Sequence, residues 1–362
     1  MTIVRPSLRS VGRRVLVTGG CGFIGCNLAD ALAARGDYVL IIDNLARAGA
    51  EENAEWLKSR HGERIAIDIA DARDEDAIIG GVSQASAVLH LAAQVAVTTS
   101  LERPREDFQI NANGTLNVLE AVRLHNPRAP VIFASTNKVY GKVLEDDAVT
   151  PSGDRYVPTD ERFARGIAED APLDLYSPYG CSKGAADQYV RDYARVFGLR
   201  TVVLRMSCIY GPRQFGNEDQ GWIAHFLLQA IRHNPITIYG DGYQVRDALY
   251  VDDAVAAWLA ALDRINRVSG RIFNLGGGPA NAISLRELLN LIAELRGEPP
   301  SLRFDAWRPG DQPWYISDIA AISRELDWSP RTPVRAGLRA LERWLDSRFG
   351  ISPVPPLQEA SA

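Results

Sequence analysis

Thr18-Gly19-Gly20-Cys21-Gly22-Phe23-Ile24-Gly25 is the stretch whose reading decides the fold. It follows a β-branched run at 15–18 and leads into an amphipathic stretch at 27–34, so it joins a buried strand to a helix. Glycines at 19, 22 and 25 let the backbone turn tightly and approach a pyrophosphate lodged at the positive end of the helix. The spacing is GxxGxxG, and alone it also fits an ordinary strand–helix turn. Asp43 adds the context, because it ends the next strand about 20 residues on, where a carboxylate can take ribose hydroxyls. That carboxylate would repel a 2′-phosphate, so NAD is expected over NADP, although Arg47 close by weakens the preference. No lysine follows the loop in the position an ATPase needs.

Outward from the loop, strands at 15–18, 38–43, 65–68, 88–92 and 131–135 alternate with helices at 27–34, 74–81 and 108–125. This alternation predicts a doubly wound parallel α/β sheet, a Rossmann-type fold. Residues 141–175, rich in Asp, Pro and Gly, read as a surface excursion near the sheet's carboxyl edge. A helix at Ser177–Phe197 and a strand at Thr201–Met206 close the NAD-binding domain, expected over 13–206. Residues 207–350 are expected to be mainly a smaller α/β substrate lobe, with short strands at 236–239 and 272–275. Residues 351–362, proline-rich and without periodicity, are expected to be a disordered tail.

The chain has 362 residues, 46% hydrophobic and 23% charged, with a formal net charge of −5. Nothing gathers basic residues into a stripe, so no nucleic-acid partner is expected. No apolar run suits a bilayer and no signal peptide is visible, so a cytoplasmic enzyme without a membrane partner is expected. Cys21, Cys26, Cys181 and Cys208 are scattered and form no CxxC pair, which suggests neither a metal site nor a disulfide framework.

Tyr179-Gly-Cys-Ser-Lys183 puts a phenol and an ammonium four residues apart on one helix face. A free phenol titrates near 10 and is a poor base at neutral pH. A nearby ammonium and a nicotinamide cation are expected to lower that value and let Tyr179 accept a hydroxyl proton. Thr136 ends the strand at 131–135, where its hydroxyl could hold the reacting oxygen or merely cap the next turn.

These residues resemble the extended short-chain dehydrogenase/reductase family, the nucleotide-sugar epimerases and dehydratases. TGGCGFIG, DNLARAG at 43–49, HLAAQ at 90–94, NANGT at 111–115, YGCSK, IYGPR at 209–213, QVRDALYVDD at 244–253 and RPGD at 308–311 carry the resemblance. It implies that Thr136, Tyr179 and Lys183 are catalytic. It implies that Gly19, Gly22, Phe23, Ile24, Gly25, Asp43, Asn44, Arg47, Asp68, Ile69, Leu91, Ala92, Ala93 and Asn111 surround a tightly held NAD that is regenerated each turnover, with Asp68 and Ile69 flanking the adenine. Arg246 and Arg308 would clamp the substrate diphosphate. Relatives pair through two helices, so a homodimer or dimer of dimers is implied, built on 108–125 and 177–197.

Two departures sharpen the expectation. Many 4,6-dehydratases carry Thr-Asp-Glu where this chain has Thr136-Asn137-Lys138, which removes the acid and base of an elimination. Common 4-epimerases carry Asn where this chain has Cys208. STNKVYG at 135–141, QVAVTTS at 94–100 and SPYGCSKGAADQY at 177–189 resemble instead the family's 2-epimerase branch. That resemblance implies a CDP-linked sugar as substrate, with Asn137, Ser207, Gln214 and Gln220 among its contacts. A UDP-sugar 4-epimerase, a 2-epimerase of CDP-glucose-type sugars and a non-catalytic NAD-binding regulator are the alternatives.

Overall fold

A computed structural model describes residues 12–308 and 311–349. The tail expected at 351–362 lies outside the described residues.

Seven strands form the main sheet, every neighbouring pair parallel. From edge to edge they are Arg271–Leu275, Thr201–Met206, Val131–Thr136, Ala87–His90, Arg14–Thr18, Tyr38–Ile42 and Ile65–Asp68. The strands are runs of Val, Ile and Leu buried on both faces, as a sheet covered by helices requires. The winding reverses between Arg14–Thr18 and Ala87–His90, and a crevice opens beyond the carboxyl ends of strands at such a point. The glycine turn, the segment after His90 and the segment after Thr136 all leave the sheet at that edge.

One side of the sheet packs on helices Glu75–Gln84, Gly114–His125 and Ser177–Phe197, through Ile78, Val118, Val122 and Val190 among others. The opposite core includes Leu28 and Leu32 of helix Phe23–Ala34 and Trp258 of helix Val251–Asp263. Each such side chain contributes about 1.5–3 kcal/mol when it leaves water. Within the core, Arg205 and Asp187 of helix Ser177–Phe197 form a buried bidentate pair at 2.9 Å, and Asp187 also accepts the Ser135 hydroxyl at 2.7 Å.

The smaller lobe is built from Cys208–Tyr210, Val245–Tyr250, Ala282–Ser284 and Trp314–Tyr315, beside a parallel pair, Ile236–Tyr239 with Leu302–Asp305. Its helices are Trp222–Ile231, Leu285–Arg296 and Val334–Phe349. One expectation is corrected here. The strand read at 272–275 is no part of the lobe; it forms the edge of the main sheet beside Thr201–Met206. Alternation reaches past 206, and the hydrophobic pattern of a strand does not say which sheet it joins.

The excursion 141–175 holds an antiparallel hairpin, Val149–Ser152 with Arg155–Pro158. It is fastened to the lobe, since the Tyr156 N–H donates to the Tyr243 carbonyl at 2.9 Å and Ile167 bridges Ser317. Leu144, Val149 and Ile167 share a third core with Trp314 and Tyr315.

Among the described residues no helix is long and apolar enough to cross a membrane.

Candidate active site

A cleft of about 800 Å³ runs along the carboxyl edge of the sheet and into the lobe. At one end is the glycine turn, where each glycine has its own steric reason. A Cβ on Gly19 would lie 2.7 Å from the Ala92 nitrogen, and one on Gly25 would lie 2.2 Å from the Gly19 oxygen. Gly22 differs: its only near neighbour would be the Gly19 oxygen at 3.3 Å, so it keeps the backbone bare where the cleft begins. Gly22 is also the N-cap of helix Phe23–Ala34, with no side-chain cap and no acidic residue in the first turn. The helix therefore presents free N–H groups to an anion, as a pyrophosphate site needs. Asp43 is held by the turn itself, accepting from the Cys21 N–H at 2.9 Å and the Leu45 N–H at 2.9 Å, and still lines the cleft. Phe23, Ile24, Asn44, Arg47, Leu91, Ala92 and Ala93 complete this wall. Bare N–H groups at one end and a fixed carboxylate at the other suit a dinucleotide.

Thr136, Tyr179 and Lys183 meet at the centre, 7%, 7% and 3% exposed. The Lys183 ammonium lies 4.2 Å above the Phe133 ring. The expected lowering of the Tyr179 phenol is not seen. Burial pushes it up to about 12, and Asp107 adds to that against a hydrogen bond with Thr136. Burial also pushes Lys183 down to about 7, opposed by Asp187 and Asp107. Desolvation outweighs the neighbours at both groups, disfavouring the phenolate and the ammonium alike.

In the lobe, Arg246 is 8% exposed and donates to Asp311 Oδ1 at 2.6 Å. Arg308 lies over the Tyr239 ring at 3.8 Å and donates to the Glu218 carbonyl at 2.9 Å, with the carboxylates of Glu218 and Asp219 at 3.6 and 3.8 Å. Arg47 donates to Gln220, which joins the cofactor wall to the loop 212–221. Ser207 donates to Asp247 Oδ1 at 2.5 Å, and burial raises that carboxyl to about 6. Gln214 and Gln244 each line the cleft with a buried side-chain oxygen that has no hydrogen-bond partner. Thr98 does the same with its hydroxyl. Such atoms fit a ligand that brings hydroxyls and amides.

Three expected residues do not reach this cleft. Asp68 and Ile69 are exposed, Ile69 to 68%, and Ala70, Asp71 and Ala72 line the cleft beside them. Asp71 is held down to about 2 by Arg73 and accepts from Asn44 at 2.8 Å. Asn111 is fully buried, and its amide is spent on Asp107, Ser182 and both backbone groups of Gln94. It lies in a π-turn, Gln109–Asn113, whose extra residue rotates the helix face. Sequence reasoning also passed over Asp71, Glu218, Asp219 and Gln244 as site residues. Asp311 and Gln244 stood inside quoted motifs, which was the available signal.

With this geometry the chain belongs to the NAD dependent epimerase/dehydratase family, whose pattern matches residues 15–276. It is an NAD-dependent enzyme of the nucleotide-sugar epimerase kind. Among particular relatives, it is 42% identical to the CDP-paratose 2-epimerase of Salmonella typhi, across 92% of this chain and 99% of that protein. Among solved structures it resembles the UDP-glucose 4-epimerase of Thermotoga maritima with UDP-glucose, at TM-score 0.80, 29% identity and coverage of 93% and 99%. It likewise resembles the Thermus thermophilus UDP-glucose 4-epimerase complex with NAD, at TM-score 0.77, 32% identity and coverage of 92% and 98%.

Proposed function

We propose that the protein inverts C2 of a CDP-linked hexose or deoxyhexose through a 2-keto intermediate. The observation that carries this reading is the 42% identity, over 92% of the chain, to a protein named CDP-paratose 2-epimerase. Asn137 and Lys138 support it, because they stand where an elimination would need an acid and a base.

NAD, when bound, supplies the acceptor and donor of the hydride at the sugar carbon. The N–H groups of Phe23 and Ile24 would hold its pyrophosphate, and Asp43, Asn44 and Arg47 would take the adenosine ribose. Arg246 and Arg308 clamp the substrate diphosphate, and Asn137, Ser207, Gln214 and Gln220 contact the remainder. Thr136 positions the C2 hydroxyl, and Tyr179 Oη accepts its proton as the carbon is oxidised. A phenol held near 12 gives up its own proton at neutral pH only beside positive charge, which Lys183 provides in its ammonium form. The ketose turns about its diphosphate linkage, and Tyr179 returns the proton after reduction of the opposite face. Helices Gly114–His125 and Ser177–Phe197 leave Leu124, Tyr189, Val196 and Phe197 exposed, a surface suited to a second copy of the chain.

The test is product NMR after incubation with CDP- and UDP-hexoses in deuterated water. The expected product is the C2 epimer of a CDP-hexose, without solvent deuterium at C2. Inversion at C4 of a UDP-sugar would replace this reading with that of a 4-epimerase, the reaction named for the Thermotoga maritima enzyme.

A further inference from the structure

The loop 212–221 joins two elements of the lobe, Cys208–Tyr210 and Trp222–Ile231, yet it is fastened along the cofactor domain. There are four points of attachment. Asn27 of helix Phe23–Ala34 donates to the Phe23 carbonyl at 2.8 Å and to the Pro212 carbonyl at 3.2 Å. The Arg213 guanidinium stacks on the Trp56 ring of helix Ala50–His61 at 3.0 Å. Phe215 covers Gly49 so closely that a Cβ there would run into its ring. Gln220 accepts from Arg47.

All four anchors stand on segments that shape the dinucleotide's wall. Asn27 shares the helix whose first turn offers its N–H groups to a pyrophosphate. Gly49 is the N-cap of helix Ala50–His61, and Asn53 of that helix donates to the Cys21 carbonyl in the glycine turn at 3.0 Å. Arg47 lines the cleft with Asp43 and Asn44, and so do residues 213–215 and 218–221 of the loop. The loop therefore runs from the pyrophosphate helix to the ribose turn, across the stretch that an adenosine half would occupy.

Its own conformation shows that it is held. Arg213 has a φ of +69°, a left-handed backbone that a side-chain-bearing residue keeps only where its surroundings hold it. Phe215 is enclosed from the lobe as well, edge-on to Trp344 of helix Val334–Phe349 at 5.6 Å and under the Arg348 guanidinium at 5.0 Å. Arg348 in turn donates to Glu52 of helix Ala50–His61 at 2.6 Å. The tip is closed, with Asn217 and Gln220 exchanging backbone hydrogen bonds at 2.9 and 3.3 Å.

We infer that the loop 212–221 is a strap that retains NAD, with Arg213 and Phe215 as the positioning residues that fasten it over the adenosine half. For that half to leave, the contacts at Gly49 and Arg47 must part. Strap contacts of this kind act on the rate of departure more than on the rate of arrival. The inference holds whichever sugar the enzyme turns over.

The test is exchange of bound NAD in the holoenzyme against excess isotopically labelled NAD, followed by mass spectrometry with no sugar present. Phe215→Ala and Trp56→Ala loosen the strap from its two sides, and each should speed exchange by about tenfold or more. Phe215→Leu keeps an apolar side chain over Gly49 and should stay within about threefold of the parent. Val118→Ala is the control, since Val118 is fully buried on the other face of the main sheet. It should lower the denaturant midpoint and leave exchange unaltered. If Phe215→Ala does not fold, Trp56→Ala decides alone. Exchange at the parental rate in the strap variants would overturn the proposal. Equal acceleration by Val118→Ala would do so too, because retention would then follow overall stability. Parental exchange already complete on mixing would leave nothing for a strap to retain and would overturn it as well.

Discussion

The two ends of the cleft solve the problem of holding a phosphate in opposite ways. At the cofactor end the groups offered are the backbone N–H groups of the first helical turn from Phe23, without a side-chain cap, with Asp43 fixed by the same glycine turn. At the substrate end the cations Arg246 and Arg308 already rest against Asp311, Glu218 and Asp219. The first end has no carboxylate lying against its helix N-terminus, and its arginine, Arg47, makes its internal contact with Gln220. At the second, any anion that reached Arg246 or Arg308 would first have to displace an internal carboxylate. This asymmetry suits a cofactor that stays and a substrate that must leave.

The largest effect expected is at the centre between the two ends. Tyr179→Phe should lower kcat by about a thousandfold, within the range assigned to a positioned proton carrier. Substrate affinity should hold, and steady-state kinetics with direct binding separate the two. Next, Arg246→Ala should weaken substrate binding by about 2–3 kcal/mol, roughly 30- to 150-fold in Kd, because Asp311 is left facing the diphosphate. NAD content of the purified enzyme should not change. If NAD were lost as well, the two ends would not be independent.

A subtler effect follows from Lys183, lowered by burial from 10.5 to about 7. Between those values the unfolded chain holds a proton that the folded chain lacks, so this residue makes stability rise with pH across that window. Its contribution is complete above the unfolded value and is lost as pH falls through about 7. Denaturant midpoints of NAD-free enzyme should show that slope, and Lys183→Met should flatten it. The smallest effect tests the comparison most directly. Glu218→Gln with Asp219→Asn should tighten substrate binding by only about two- to fourfold, the scale of half-exposed ion pairs. Weaker binding would mean that these carboxylates hold the loop in shape rather than compete with the ligand.

The same asymmetry decided what could be read from sequence. The glycine turn and Asp43 act through spacing and strand order, which are local, and those residues all stand on the cofactor wall. Tyr179 and Lys183 share a helix, so their alignment was legible, but their ionisation was not, because desolvation depends on what the fold packs over them. The partners at the substrate end join residues 65, 90 and 173 positions apart, and no periodicity reports a contact at such range. Beyond the strand that ends at Asp68 the chain turns, and Ala70, Asp71 and Ala72 line the cleft, which the strand pattern did not foretell. The internal bonds of Asn111 depend on a π-turn that shifts the helical register, which spacing does not report. The strand at 272–275 was found as a strand and assigned to the wrong sheet.

The loop 212–221 touches Arg47 on the cofactor wall through Gln220 and Arg308 in the lobe through Glu218. One short segment therefore forms the doorstep of two rooms. A substitution in this segment should therefore be felt on both walls at once, although its residues lie far along the chain from the glycine turn.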